Sequence, residues 1–171
     1  MSNHDINPAD PDKKYRLIES QREFEDALRQ AFSMVAEQGC RELLISDADF
    51  ANWPLGERAV VDLLAQWAMS HRKMTVLARN YDEVTRLHAR WVQWRRQWAH
   101  VVDCRVADDA DAQEIPTLLL APGVVVVRLV AGETVRGSIS TDLGDIERAR
   151  EMVDAITQRS QEGFPASTLG L

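Results

Sequence analysis

Apolar residues recur at helical spacing from Phe24 through Ala27, Leu28, Ala31 and Val35, which predicts a helix with one buried stripe. Ser20-Gln21-Arg22-Glu23 ahead of it reads as a capping box, and Gly39 suits the residue just past its end. Upstream, Tyr15-Arg16-Leu17-Ile18 alternates as a short strand does. Residues 41–46 hold Leu43-Leu44-Ile45, a buried strand that runs into Asp47-Ala48-Asp49. A second helix is expected from about Gly56, with Val60, Leu63, Leu64, Trp67 and Ala68 on its apolar face. Met74 to Leu77 is the next strand. A third helix is expected from Asp82 to Ala99 with a stripe of Val84, Leu87, Trp91, Trp94 and Trp98, and His100 to Val106 follows as a fourth strand.

Strands alternating with helices imply βαβ units with parallel strands covered on both faces. Beyond an acidic loop, Asp108 to Glu114, the pattern changes. Thr117–Leu120, Val124–Val130 and Thr134–Ile139 are three strands whose Pro-Gly and Gly-Glu connections leave room only for hairpins. Thr141 or Asp142 then caps a last helix with Ile146, Ala149, Val153 and Ile156 inward. The expected fold is therefore a mixed α/β sheet: mainly parallel βαβ units, then antiparallel strands and a C-terminal helix. Residues 14–162 form the expected single domain. Residues 1–13, polar and carrying Pro8 and Pro11, form a mobile tail, and 163–171 a short C-terminal tail whose Phe164 and Leu169 pack back on the body.

Composition places the chain among ordinary globular proteins, with 45% hydrophobic and 27% charged residues. The N-terminus has no basic region followed by an apolar core, as a secretory signal would. The longest apolar run is broken by Arg128 and is too short for a bilayer core of ~30 Å. Cys40 and Cys104 lack metal-finger spacing and read as small buried hydrophobes. A cytoplasmic protein with no membrane contact and no cofactor is the expectation.

Charge sharpens this picture. The net charge is −7, yet Arg72 to Arg96 carries seven basic and two acidic residues, a local +5 against −12 elsewhere. Four of the five tryptophans lie between Trp67 and Trp98. Arg86, Arg90, Arg95 and Arg96 are thus candidates for binding an anion, unless they form a solvated face over a tryptophan stripe. The acidic total argues against a general nucleic-acid coat and leaves a local polyanion site open.

Other chemistry is sparse. His71, His88 and His100 have no carboxylate at ligand spacing, so no metal site is expected; His88, at the edge of a helix stripe, is a weak candidate base. Asp47 and Asp49 stand at a strand end, where functional groups gather in open α/β sheets. The pair resembles the aspartates of haloacid-dehalogenase-type phosphatases, in which one attacks phosphorus and the other handles the proton. Ala51 stands where that family carries Thr or Ser, and the plainer reading is a turn that caps the next segment. Gly137-Ser138-Ile139-Ser140-Thr141 offers hydroxyls and N–H groups ahead of a helix, an anion site or a simple cap. No P-loop, GxGxxG or GxSxG pattern occurs.

The order Arg-Glu-Leu-Leu-Ile, helix, Lys-Met-Thr-Val-Leu, helix with His88, His-Val-Val-Asp-Cys-Arg, hairpins and Gly-Ser-Ile-Ser resembles one half of a phospholipase D-like domain over residues 14–160. The resemblance implies that Gly137-Ser138 matches the family's Gly-Ser step. It also implies a His nucleophile and a Lys ligand near the start of the hairpin, where this chain reads Ile115-Pro116-Thr117. Without them that phosphoryl transfer has neither nucleophile nor cation. Single-motif members pair about a two-fold axis, so a homodimer is implied as well. Three functions follow: a non-catalytic domain binding an anionic ligand or a protein partner through Arg86, Arg90, Arg95, Arg96 and Ser138; a Mg²⁺-dependent phosphoryl-transfer enzyme using Asp47 and Asp49, with Lys73 or an Arg holding phosphate; and a purely structural or regulatory interaction domain.

Overall fold

The computed structural model describes residues 14–69 and 71–165; the expected tail 1–13 and Leu169 lie outside them. The elements run β1 (Tyr15–Ile18), α1 (Gln21–Gln38), β2 (Glu42–Ser46), α2 (Arg58–Trp67), β3 (Lys73–Ala78), α3 (Asp82–Leu87), α4 (Ala89–Gln97), β4 (Val102–Val106), β5 (Thr117–Ala121), β6 (Val125–Leu129), β7 (Gly137–Ser140), α5 (Leu143–Arg159) and β8 (Gln161–Glu162). The strands form one eight-stranded sheet in the order β1-β7-β6-β5-β2-β3-β4-β8. The two expected βαβ units are present and give the parallel pairs β2–β3 and β3–β4; the other five pairs are antiparallel. The chain is a mixed α/β protein, and the hairpins take a larger share of its sheet than the alternating pattern suggested.

Helices cover both faces. On one, α1, α2, α3 and α4 bury Phe24, Leu28, Leu64, Trp67 and Trp91 against Leu43, Ile45, Val76 and Cys104. On the other, α5 lays Ile146, Ala149 and Val153 on Leu77, Leu118, Leu120 and Val126. The side-chain period of two along each strand divides these residues between the layers.

The start of α1 follows its capping signal with one change. Ser20 Oγ accepts from Glu23 N–H at 3.1 Å, while the Glu23 carboxylate takes the Glu19 N–H at 3.3 Å instead of that of Ser20. Gly39 ends the helix with φ 64°, the left-handed conformation glycine adopts at no steric cost. Asp142 caps α5 by accepting from Asp145 N–H at 3.0 Å.

The long third helix is corrected. It breaks at His88, whose φ of −122° and ψ of 48° lie outside the helical range. The break is held from inside: His88 is 5% exposed and its Nε2 lies 2.8 Å from the Phe50 carbonyl. A Cβ at Gly56 would stand 3.0 Å from the His88 Cα, so the loop ahead of α2 packs directly on the bend. A straight helix would turn Leu87 inward with Trp91; the bend buries Trp91 and Trp94 and leaves Leu87 exposed. Strand β8 is also unforeseen, because two polar residues carry no apolar signal.

Gly137 shows how closely β6 and β7 approach, since a Cβ there would overlap the Arg128 carbonyl. Gly132, by contrast, faces open space. Gly137→Ala should destabilise the protein by about 1–3 kcal/mol through overpacking, and Gly132→Ala should leave the urea midpoint nearly unchanged. Equal midpoints for the two variants would contradict this account of the strand approach.

Candidate anion-binding groove

Residues opposite one another in the antiparallel pairs share a face of the sheet. Leu118, Arg128, Ser138 and Leu17 form such a row across β5, β6, β7 and β1, turned toward the α5 layer. Helix α5 packs on β5 and β6, while Tyr15 and Leu17 on β1 stay 59% and 54% exposed. Two open cavities meet along this uncovered margin. One, of 490 Å³, is lined by Leu17, Glu19, Arg128, Val130, Arg136 and Ser138. The other, of 600 Å³, is lined by Glu114, Ile115, Thr117, Arg128, Val130 and Met152 among others. Arg128 is the cation common to both walls. The residue is half-buried, and its side chain makes no hydrogen bond or ion pair among the described residues.

The Gly137–Thr141 segment lies beside this groove: Ser138 lines it, the Thr141 hydroxyl donates to the Lys14 carbonyl at 3.3 Å, and the Ser140 hydroxyl turns to capping. Ser140 Oγ accepts from Asp142 N–H at 3.1 Å and donates to Asp145 Oδ2 at 2.7 Å. Donation from Ser140, opposed by burial, holds the Asp145 carboxyl below the usual aspartate range; Arg148 and the field of Arg128 act the same way. Two carboxylates thus occupy the N-terminus of α5, and that end repels an anion.

The arginines singled out in the sequence do not converge with Ser138. They sit on α3 and α4, in the opposite layer. Arg86 pairs with Glu83 at 2.6 Å, and Arg90 donates to the Gly56 carbonyl at 2.8 Å. Arg95 is buried, donating to Cys104 Sγ and the Phe164 carbonyl, while Arg96 is exposed. Asp47 Oδ2 accepts from the N–H groups of Asp49 and Phe50, and its Oδ1 takes the Thr117 hydroxyl at 2.5 Å. Asp49 accepts from Ala51 N–H at 2.9 Å. Both aspartates shape the turn after β2. Among the described residues, no group of three or more His, Cys, Asp or Glu is placed to hold a metal ion.

Arg128 escaped the sequence reading because it served there only to interrupt an apolar run. Its signal was a charge inside a hairpin strand, at alternation with Val127 and Leu129, on a face that the last helix does not fully cover.

Residues 24–169 match the family model described as a domain of unknown function, DUF7931. The chain belongs to that family. No curated protein matches this DUF7931 chain. Among solved structures it is similar to TrmBL2, an archaeal chromatin protein described as showing a novel mode of DNA binding, with a TM-score of 0.65 at 12% identity. That likeness covers 92% of this chain but 57% of TrmBL2. It is also similar to NucT from Helicobacter pylori, with a TM-score of 0.60 at 14% identity, covering 88% of this chain and 99% of NucT. Identities this low show the fold. No helix among the described residues of the DUF7931 chain is long and apolar enough to cross a membrane.

The Ser140–Asp145 bond sets a pH dependence whose sign can be worked out. A carboxyl depressed in the folded state contributes stability above its unfolded pKa, and that contribution is lost as pH falls through the folded value. Ser140→Ala should therefore lower stability most at neutral pH, with the gap to the parent narrowing as pH falls below the ordinary aspartate pKa of about 3.9. Urea titrations at several pH values check this, and a gap that widens on acidification would contradict it.

Proposed function

We propose that this DUF7931 domain is a non-catalytic binding domain whose anionic ligand seats at Arg128. The observation that carries this reading is half-buried Arg128, on the shared wall of two cavities, whose side chain has no hydrogen-bonding partner among the described residues. A guanidinium that donates to no protein group keeps its donors for an incoming anion, and charge-assisted bonds of that kind are the strong ones. The resemblance to a phospholipase D-like half supports binding without turnover. The positions where that family carries its nucleophile and phosphate ligand, near Ile115 and Thr117, line the 600 Å³ cavity and offer neither group. The turn roles of Asp47 and Asp49 weigh against phosphoryl transfer through them.

The groove also explains why a second copy is a reasonable partner. Tyr15, Leu17 and Val130 are exposed beside Arg128, and the two-fold pairing implied by the resemblance would cover them. In a reducing cytoplasm, the setting we assign, Cys40 and Cys104 stay the free thiols they are here. DNA enters as one probe among several, since the likeness to TrmBL2 reaches only the fold.

Titration calorimetry at low salt with inorganic phosphate, pyrophosphate and a short DNA duplex tests the reading. At least one should bind with an affinity that falls as salt rises. Arg128→Gln should weaken it by about tenfold or more, the scale of a lost charge-assisted contact, while Arg86→Ala with Arg90→Ala changes it little. Absence of binding to all three, or binding indifferent to Arg128→Gln, removes the proposal. Light scattering should show a dimer that Leu17→Asp dissociates, and a monomeric parent removes the pairing.

A further inference from the structure

The segment after α5 closes over an unusual pair of side chains. Arg95 on α4 is 5% exposed, yet no carboxylate pairs with it among the described residues. Its Nε donates to Cys104 Sγ at 3.2 Å and its Nη2 to the Phe164 carbonyl at 3.2 Å, while Nη1 is buried without a partner. Cys104 is 1% exposed. A buried guanidinium facing a thiol is half of an ion pair whose other half forms only when the thiol loses its proton.

A short strap lies along the edge of the strand that carries Cys104. Gln161 and Glu162 pair with Val106 and Arg105, Gly163 N–H donates to the Cys104 carbonyl at 2.9 Å, and the Phe164 ring stacks on Tyr81 at 4.8 Å. Burial pushes the Cys104 thiol up, against the field of Arg95. Ser160 is pinned by Arg105, which donates from Nε to its Oγ at 2.6 Å and from Nη2 to its carbonyl at 2.8 Å. Beyond it the strap has two residues of ladder, the bonds at Gly163 N–H and the Phe164 carbonyl, one stack, and Phe164 at φ 46°, a conformation that disfavours a side chain. Short segments at a sheet edge open separately from the core.

We propose that Gln161–Phe164, hinged at Ser160, is a latch over a latent reactive cysteine, and that lifting it exposes Cys104, beside Arg95, as a site for thiol–disulfide exchange. With the latch open, water enters and Arg95 favours the thiolate. The thiol proton passes to solvent; the thiolate attacks one sulfur of a small disulfide; the S–S bond breaks, a mixed disulfide forms, and the other sulfur leaves as a thiolate. The charged and titratable groups around Cys104 are Arg95 from α4, Tyr81 ahead of α3, Asp103 and Arg105 on its own strand, and Glu162 on the strap. Arg95 is the cation that donates to the sulfur.

The test uses the full chain carrying Cys40→Ser, with 5,5′-dithiobis(2-nitrobenzoate) as the disulfide and release of its coloured thiolate as the readout. Phe164→Ala removes the stack, and Gly163→Val drives a side chain into Val106. Each should raise the exchange rate by at least tenfold while the protein still melts cooperatively, and adding Arg95→Met should move the midpoint of the rate–pH profile upward. The parent needs no mutation at the latch: its exchange rate should depend on urea less steeply than global unfolding does. The proposal is overturned if the parent exchanges only through global unfolding, if both latch variants fold and react as slowly as the parent, or if Arg95→Met leaves the profile in place.

Discussion

The register between β2 and β5 is the constraint on which the rest of the sheet depends, because β2 is where the parallel and antiparallel halves meet. It pairs with β3 in one sense and with β5 in the other, so both of its edges are used. Two side-chain bonds hold the second pairing at its end. Ser46 Oγ donates to the Pro116 carbonyl at 2.7 Å, and the Thr117 hydroxyl donates to Asp47. A slip of one residue would send Leu118 and Leu120 to the wrong layer and carry β6 and β7 with them. Arg128 faces the groove because that register holds.

Much of the fold was legible in the sequence where local chemistry and tertiary packing agree. The capping box at Ser20, Gly39 at the end of α1, the apolar strands and the hairpins after Ile115 all act over a few residues. The bend at His88 was not legible, since it arises from contacts with Phe50 and Gly56, far off in sequence. Strand β8 was equally hidden: its pairing comes from the exposed edge of β4, and neither Gln161 nor Glu162 favours a strand.

The site was less legible than the fold, for an electrostatic reason. A count along the chain weights every arginine equally, and so favours the dense run from Arg72 to Arg96. In the folded protein several of those charges are already engaged: Arg86 by Glu83, Arg90 by a carbonyl, Arg95 by a thiol and a carbonyl. Arg128 stands alone in its strand, and its importance appears only when the rows of the sheet are aligned. The serine segment near it misled in the other direction, because Asp142 and Asp145 had already claimed the helix end.

The place of β1 has a consequence for how the chain reaches this structure. Among the described residues Tyr15–Ile18 pairs only with Gly137–Ser140, more than 100 residues later in the chain. On a ribosome the first strand emerges long before its partner and must wait, while β2, β3 and β4 can assemble around α1 and α2. The margin that carries the groove closes only after β7 has emerged. Contacts this distant in sequence slow folding and leave the early strand edge open. The groove is thus a late-maturing surface, and a chain stopped short of β7 would hold most of the α1–α4 side of its core but neither the α5 layer nor the site.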